Sequence, residues 1–336
     1  QGAAFVAAAL LACQVLPWRE VGRILPSISP LLNGLGALAV RSANGWLLLG
    51  LPVCCLGWLR PRWFCRYLCP VGFAAERAGH LRRGGRGRFA RWPNLGRWIL
   101  LVMFGGALVG CPLVLWLDPL AIFNGCFSAW RNPWTWTSLG MVMGFTLILL
   151  ISWIFPNAWC HRMCPLGAAQ DLLVLARRAF RFRKTPVELR SFQTPISRRA
   201  LLGIAAGGAA GVAFRWKAAA AVLPIRPPGA RPEAEFKGLC ARCGACVRAC
   251  SYGILQPDLG QQGWAGLLAP VVGYSSAHCF EFCNDCTQVC PTGAIEPLLL
   301  ESKRQRAMGL AEVDPGKCIA WHDRQYCMVC QEFCPY

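Results

Sequence analysis

The sequence predicts an α-helical membrane bundle, made of a duplicated two-span repeat plus a fifth anchor helix, followed by a small α+β domain rich in cysteine. Three observations predict it. Of the 336 residues, 55% are hydrophobic and the mean hydropathy is +0.38, an apolar excess that places part of the chain in lipid. The net charge is +19, but its distribution is uneven. Residues 1–214 carry 23 Lys/Arg against 5 Asp/Glu, while residues 215–336 carry 12 against 11. Bases gathered between apolar stretches follow membrane topology and exclude a nucleic-acid-binding face. Lastly, the 21 cysteines fall largely into short fixed spacings, which favour metal clusters over a disulfide scaffold.

In chain order, residues 2–16 are apolar but short of the roughly 20 residues a span requires. With no initial Met, they are expected to be the trimmed tail of a first span. Further spans are expected over 45–59, 98–117 and 139–155. Segments 60–97 and 156–199 hold ten and nine bases, so they are expected on the cytoplasmic side. Segment 17–44 holds three Arg and segment 117–137 only Arg131. These are expected to form outside loops, with the amino terminus inside. Trp46, Trp58, Trp98, Trp116, Trp134, Trp136, Trp153 and Trp159 flank the spans, as interfacial anchors do.

The bundle repeats itself. Cys65-x3-Cys69-Pro70-x-Gly72 returns as Cys160-x3-Cys164-Pro165-x-Gly167, 95 residues later. Upstream, Ser29-Pro30-Leu31 with Asn33-Gly34 is echoed by Asp118-Pro119-Leu120 with Asn124-Gly125. On a helix, each Cys pair at i, i+4 would share one face. Pseudo-twofold halves would bring Cys65, Cys69, Cys160 and Cys164 together at the cytoplasmic surface, to hold a cluster or another soft metal. The alternative is four reduced thiols that pack or assist assembly. Asp118 has two readings, a proton acceptor near a quinol or a helix cap.

Ser197-Arg198-Arg199-Ala-Leu201-Leu202 before a Gly/Ala-rich run is similar to a twin-arginine export signal, the alternative being positive-inside arginines before a fifth span. The expected domains are therefore 1–196 as the four-span bundle, 197–223 as signal and anchor, and 224–336 as the cysteine-rich domain outside. Pro224, Pro227, Pro228 and Pro232 read as a stiff linker between them.

That last domain opens with Cys240, Cys243, Cys246 and Cys250, spaced C-x2-C-x2-C-x3-C. Cys279, Cys283, Cys286 and Cys290 follow before Pro291, then Cys318, Cys327, Cys330 and Cys334 before Pro335. Such runs hold [4Fe–4S] clusters on thiolate, three ligands to one cube and the fourth reaching a neighbour. Three clusters are expected here, with a fourth if the C-x3-C-P thiols hold one. Gly244 allows the tight turn that aims backbone N–H groups at cluster sulfurs. Pairing the second and third sets, through Cys290 and Cys334, would leave the first without a partner: either Cys250 closes its own cube or a further motif lies beyond Tyr336, and the latter is expected. The histidines lie outside the expected spans, so no membrane haem is expected.

The bundle resembles NapH-type membrane proteins, and more distantly the membrane part of NosR, through its two C-x3-C-P copies. The second part resembles the NapG/MauM ferredoxin-type family through Arg198-Arg199, the Cys240 run and Cys318-x8-Cys327-x2-Cys330-x3-Cys334-Pro. The chain reads as a fusion of the two. Two departures stand out: no ferredoxin motif lies in 165–199, and three cluster motifs appear where NapG-type proteins carry four. The resemblance implies a quinol dehydrogenase component in the bacterial inner membrane. It would link the quinone pool to a periplasmic redox protein or cytochrome within a larger complex, without nucleic acid. The rival expectations are a maturation factor delivering metal to a periplasmic enzyme, and a docking anchor.

Overall fold

The computed structural model describes residues 1–13, 21–43, 45–80, 93–128, 136–182, 198–219, 224–261, 263–274 and 277–333. The chain divides into two compact units, Gln1–Arg306 and Ala307–Tyr336. The boundaries expected near 196 and 223 both fall inside the first unit, which contains the helical part and the first two cysteine sets.

The helical part runs α1 (Gly2–Ala12), α2 (Val21–Ser27), α3 (Pro30–Val40), α4 (Leu51–Leu59), α5 (Trp63–Tyr67), α6 (Pro70–His80), α7 (Leu95–Leu108), α8 (Pro119–Ser128), α9 (Trp136–Ile154), α10 (Pro165–Phe182) and α11 (Arg198–Ala219). Among the described residues no single helix is long and apolar enough to cross a membrane. The expected spans persist as shorter apolar helices, such as the 14-residue α7, which extends about 21 Å against about 30 Å of hydrocarbon. One bent pair, α2 and α3, meets the length and composition together, across a 92° turn. The expected four-span membrane bundle is therefore not supported. Nor is α11 a fifth span by this criterion, because its weakly hydrophobic Gly/Ala sequence also carries Arg and Lys.

The Gly/Ala run of α11 packs against α7. Gly203 meets Leu101, Gly207 meets the Val102 carbonyl, Gly105 meets the Ile204 carbonyl and Gly211 meets Gly106. Residue numbers rise together along both helices, so the two are parallel. A Cβ at Gly105 or Gly207 would overlap the opposing backbone oxygen. Small residues let two helix backbones approach this closely.

The second echo has a role the sequence did not suggest. The two Pro-Leu/Asn-Gly stretches were expected as outside loops. Instead, they form α3 and α8, and Ser29, Asn33, Asp118 and Asn124 at their starts are buried. Pro30 and Pro119 occupy first helical positions, where a missing N–H costs nothing. The helices meet at equivalent positions of the repeat, Ser29 Oγ donating to Asp118 Oδ2 at 2.6 Å. Asp118 Oδ1 accepts from the N–H groups of Leu120 and Ala121 at 2.9 and 3.3 Å. This is capping geometry.

The rest of the first unit holds α12 (Glu233–Leu239), α13 (Ala245–Ala249), β1 (Leu255–Pro257), β2 (Pro270–Val272), α14 (Asp285–Gln288) and α15 (Leu300–Arg304). The strands pair antiparallel, Leu255 opposite Val272 and Pro257 opposite Pro270. The expected proline linker is packed rather than free, with Arg226, Pro227, Pro228 and Gly229 buried. Arg226 clasps Glu233 through Nε and Nη2 at 2.9 and 2.6 Å and donates from Nη1 to the Pro270 carbonyl at 2.7 Å. Lys237 Nζ adds a contact to Glu233 at 3.0 Å. The second unit is short and largely exposed, with α16 (Ile319–His322) and α17 (Val329–Phe333).

Candidate iron–sulfur sites

Among the described residues no cysteine is joined in a disulfide. In the first set, Cys240 ends α12, Gly244 turns the chain at φ 68° and Cys246 lies on α13. Only a residue without a Cβ takes that backbone conformation at little cost. Cys240, Cys243 and Cys246 line one pocket together with Cys290 from the second set. Phe236, Leu268, Pro270, Pro291 and Ile295 complete a largely apolar wall. Backbone N–H groups point at the sulfurs, that of Ile295 at Cys290 Sγ (3.4 Å) and those of Arg242 and Ala245 at Cys240 and Cys243. Burial pushes the Cys243 thiol up to about 12. Such a thiol holds its proton until a metal displaces it.

Cys250 goes the other way. Cys286 lies in electrostatic range of Cys279, Cys250 and Cys283, and burial pushes it up to about 12. The first and second sets thus exchange their fourth cysteines, which is the ligand pattern of a two-cluster ferredoxin. This corrects the expected pairing of the second set with the third. The first set has its partner in the second. Cys246 and Cys286 are themselves in electrostatic range, so the two thiol groups adjoin. In the second unit, Cys318 precedes α16, Cys330 lies on α17 and Cys327 lies between them. Cys334 is outside the described residues.

The C-x3-C-P thiols also converge. Cys65 has Cys69 and Cys160 as electrostatic neighbours, Cys69 has Cys160 and Cys164, and Cys164 has Cys65 and Cys160. The route differs from a shared helix face. Each short helical turn ends before its second cysteine, and Pro70 or Pro165 starts the next helix. Cys164 is accordingly extended, with φ −67° and ψ 119°, as the residue before proline prefers. The halves match closely. Arg62 and Asn157, 95 residues apart, both have positive φ (53° and 64°). The Gly72 and Gly167 N–H groups donate to Cys69 and Cys164 Sγ at 3.4 and 3.5 Å. Burial raises all four thiols, Cys160 to about 11.

Sequence reasoning missed the polar groups around these thiols. Arg62 donates to Asp171 from Nε and Nη2 at 2.8 and 2.5 Å and to the Cys160 carbonyl at 3.3 Å. Its Nη1 also lies 2.9 Å from His161 Nδ1. Burial and the Arg62 charge lower the His161 pKa, so the neutral ring can accept there. Gln170 Nε2 donates to Cys65 Sγ at 3.3 Å. Aligning the repeats places Gln170 opposite Ala75, and this unequal pair was the available signal.

Among the described residues, no three Cys, His, Asp or Glu side chains close around a single-ion position. Thiolate ligands, apolar walls and N–H groups aimed at sulfur fit a [4Fe–4S] cube in the Cys240/Cys243/Cys246/Cys290 cavity. The four C-x3-C-P thiols offer the same donor chemistry.

The two thiol regions are joined through α8. Asp118 at its start is in electrostatic range of Cys164. Asn124 Nδ2, six residues on, donates to the Cys243 carbonyl at 2.9 Å. That is about 9 Å of helix. Arg23 Nη1 likewise donates to the Gln288 carbonyl at 2.9 Å, and a Cβ on Gly36 would come within 2.7 Å of the Thr292 carbonyl.

A 4Fe-4S dicluster domain family matches residues 239–295, covering the first two cysteine sets. A 4Fe-4S binding domain family matches residues 45–88 and 137–183, one match on each C-x3-C-P repeat. The methylamine utilization ferredoxin-type protein MauM of Methylorubrum extorquens is 36% identical over 114 residues, 33% of this chain and 50% of that protein. The ferredoxin-type protein NapG of Escherichia coli is 37% identical over 136 residues, 40% of this chain and 57% of that protein. The ferredoxin-type protein NapF of Escherichia coli is 33% identical over 120 residues, 36% and 63% of the two chains. The chain thus spans between half and two thirds of the length of these curated relatives. No solved structure matches. Together the matches and the thiol geometry make the chain an iron–sulfur protein of the ferredoxin type, suited to electron transfer.

Proposed function

We propose that the chain is a membrane-bound electron-transfer subunit that links the quinone pool to a redox protein on the outer face of a bacterial inner membrane. One observation carries the reading. The four C-x3-C-P thiols and the Cys240 set lie near the two ends of one short buried stretch of α8. Clusters at both places would supply one-electron carriers. The remaining work falls to the protein: α8 fixes the separation, apolar walls exclude water, and N–H groups hold the sulfurs in place.

The outer surface supports a lipid setting. Leu139, Met143, Leu147 and Leu150 of α9 are 47%, 70%, 56% and 50% exposed, a stripe at helical spacing with no described partner. Val6, Leu10, Leu48, Leu51, Leu201 and Val212 are exposed as well. Exposed apolar surface on this scale marks contact with lipid or protein. The basic segments that frame the C-x3-C-P motifs favour a cytoplasmic position for those thiols. Parallel α7 and α11 would then run toward the outer face, where the twin-arginine-like start of α11 would deliver a preloaded ferredoxin domain.

The test is anaerobic reduction of the full chain by a quinol analogue in lipid nanodiscs, followed by the bleaching of cluster absorbance. Reduction within seconds is expected. No reduction, with the co-purified partner present, would reject a quinol donor.

A further inference from the structure

The four-thiol site is nearly twofold symmetric in its backbone but not in its hydrogen bonds. Gly72 and Gly167 serve Cys69 and Cys164 alike. The first cysteines differ. Gln170 of the second repeat crosses to Cys65 of the first, with Nε2 3.3 Å from Sγ. The position that would make the reciprocal bond to Cys160 is Ala75, which has no donor and is fully buried. Gln170 is itself 1% exposed, and its Oε1 has no hydrogen-bond partner among the described residues. A buried amide oxygen without a partner weakens the fold, so this side chain is not placed for its own stability. Its stem is held against Gly57, where a Cβ would approach Cγ to 3.3 Å. That contact keeps the amide aimed at the sulfur. The nearby Arg62 charge is already engaged by Asp171, so the donor to Cys65 is the uncharged side-chain amide of Gln170.

From this arrangement we infer that Gln170 is a positioning and tuning residue: it orients Cys65 and raises the reduction potential of the cluster held by Cys65, Cys69, Cys160 and Cys164. The inference rests on the proposal that these thiols hold a cluster. One-electron reduction adds negative charge to the ligand sulfurs, and an N–H donor stabilises the reduced form more than the oxidised one. Hydrogen bonds to sulfur are an established lever on cluster potential. Because the reciprocal position is Ala75, the lever acts on one half of the site, so the two repeats are not equivalent toward an electron donor.

The experiment is an EPR-monitored potentiometric titration of the full chain in nanodiscs, comparing wild type, Gln170→Met and Cys65→Ala/Cys160→Ala. Met keeps the volume and removes the donor. The double variant should lose one EPR signal and its iron, which identifies the site. Gln170→Met should keep that iron and move that signal's midpoint to more negative potential, leaving the other signals unmoved. A second measurement needs no variant: wild type labelled with 15N in glutamine side-chain amides should show a 15N coupling on the same signal. An unmoved midpoint, or no coupling, overturns the role of Gln170 while the cluster assignment stands. Unchanged iron in Cys65→Ala/Cys160→Ala overturns the cluster assignment itself, and this inference with it.

Discussion

At the scale of single residues, the exchanged fourth cysteines give a sharp test. Cys290→Ser should damage the cluster of Cys240, Cys243 and Cys246 and spare its neighbour, and Cys250→Ser should do the reverse. Power-dependent EPR separates the two, and loss of the same signal in both variants would contradict the exchange. The buried Arg226–Glu233–Lys237 cluster makes a second. Burial alone would raise the Glu233 carboxyl, but hydrogen bonds and charges from Arg226 and Lys237 outweigh it and hold the group below the usual carboxylate range. A depressed carboxyl stabilises the fold above its unfolded value, and this contribution fades as pH falls through the folded value. Glu233→Gln should therefore cost about 3–5 kcal/mol near neutral pH, since it strands buried cations. Urea denaturation should show the gap to wild type narrowing below the ordinary carboxylate range. An equal gap at neutral and strongly acid pH would contradict the linkage.

At the scale of elements, much of the site was legible and much of the path was not. The cysteine spacings gave the thiol sets, because the place of each thiol within a set is fixed by a few local turns. The C-x3-C-P repeat likewise gave the convergence of four thiols, since a duplicated backbone brings equivalent residues together. What spacing cannot show is which set closes on which, because Cys250 and Cys290 are placed by packing across α13 and α14. Nor could it show that the Pro-Leu/Asn-Gly stretches turn inward. Their clue was polar residues at equivalent repeat positions, Ser29 and Asp118, which are explained only once they are seen bonded to each other. The α7–α11 seam is a third case: Gly/Ala content suited an export signal and a packing face equally. Gly207→Val should force α11 away from α7 and cost about 1–3 kcal/mol, as overpacking does. A cysteine crosslink between positions 101 and 203 would report it by its slower formation. Unchanged crosslinking would count against the close approach.

At the scale of the whole molecule, charge and hydropathy suggest a four-span bundle joined through an anchor helix and a stiff linker to an external domain. In the structure Gln1–Arg306 forms one compact unit, in which α2 and α8 pack against α13 of the first cysteine set. The physical reason is shared contact: Asn124 on Cys243, Arg23 on Gln288 and Gly36 on Thr292 tie the two parts through backbone groups. Hydropathy responds to side chains and does not register such bonds. The third cysteine set belongs to the separate second unit, so the account of electron flow rests on the first unit alone. Its central claim is that iron–sulfur clusters occupy both thiol regions flanking α8. The most direct measurement is iron and acid-labile sulfide per chain, with Mössbauer spectra, in wild type and Cys65→Ala/Cys160→Ala. The account predicts that the variant loses about four iron atoms, one cube's worth, and keeps the spectra of the Cys240–Cys290 region. Iron content equal to wild type would contradict it.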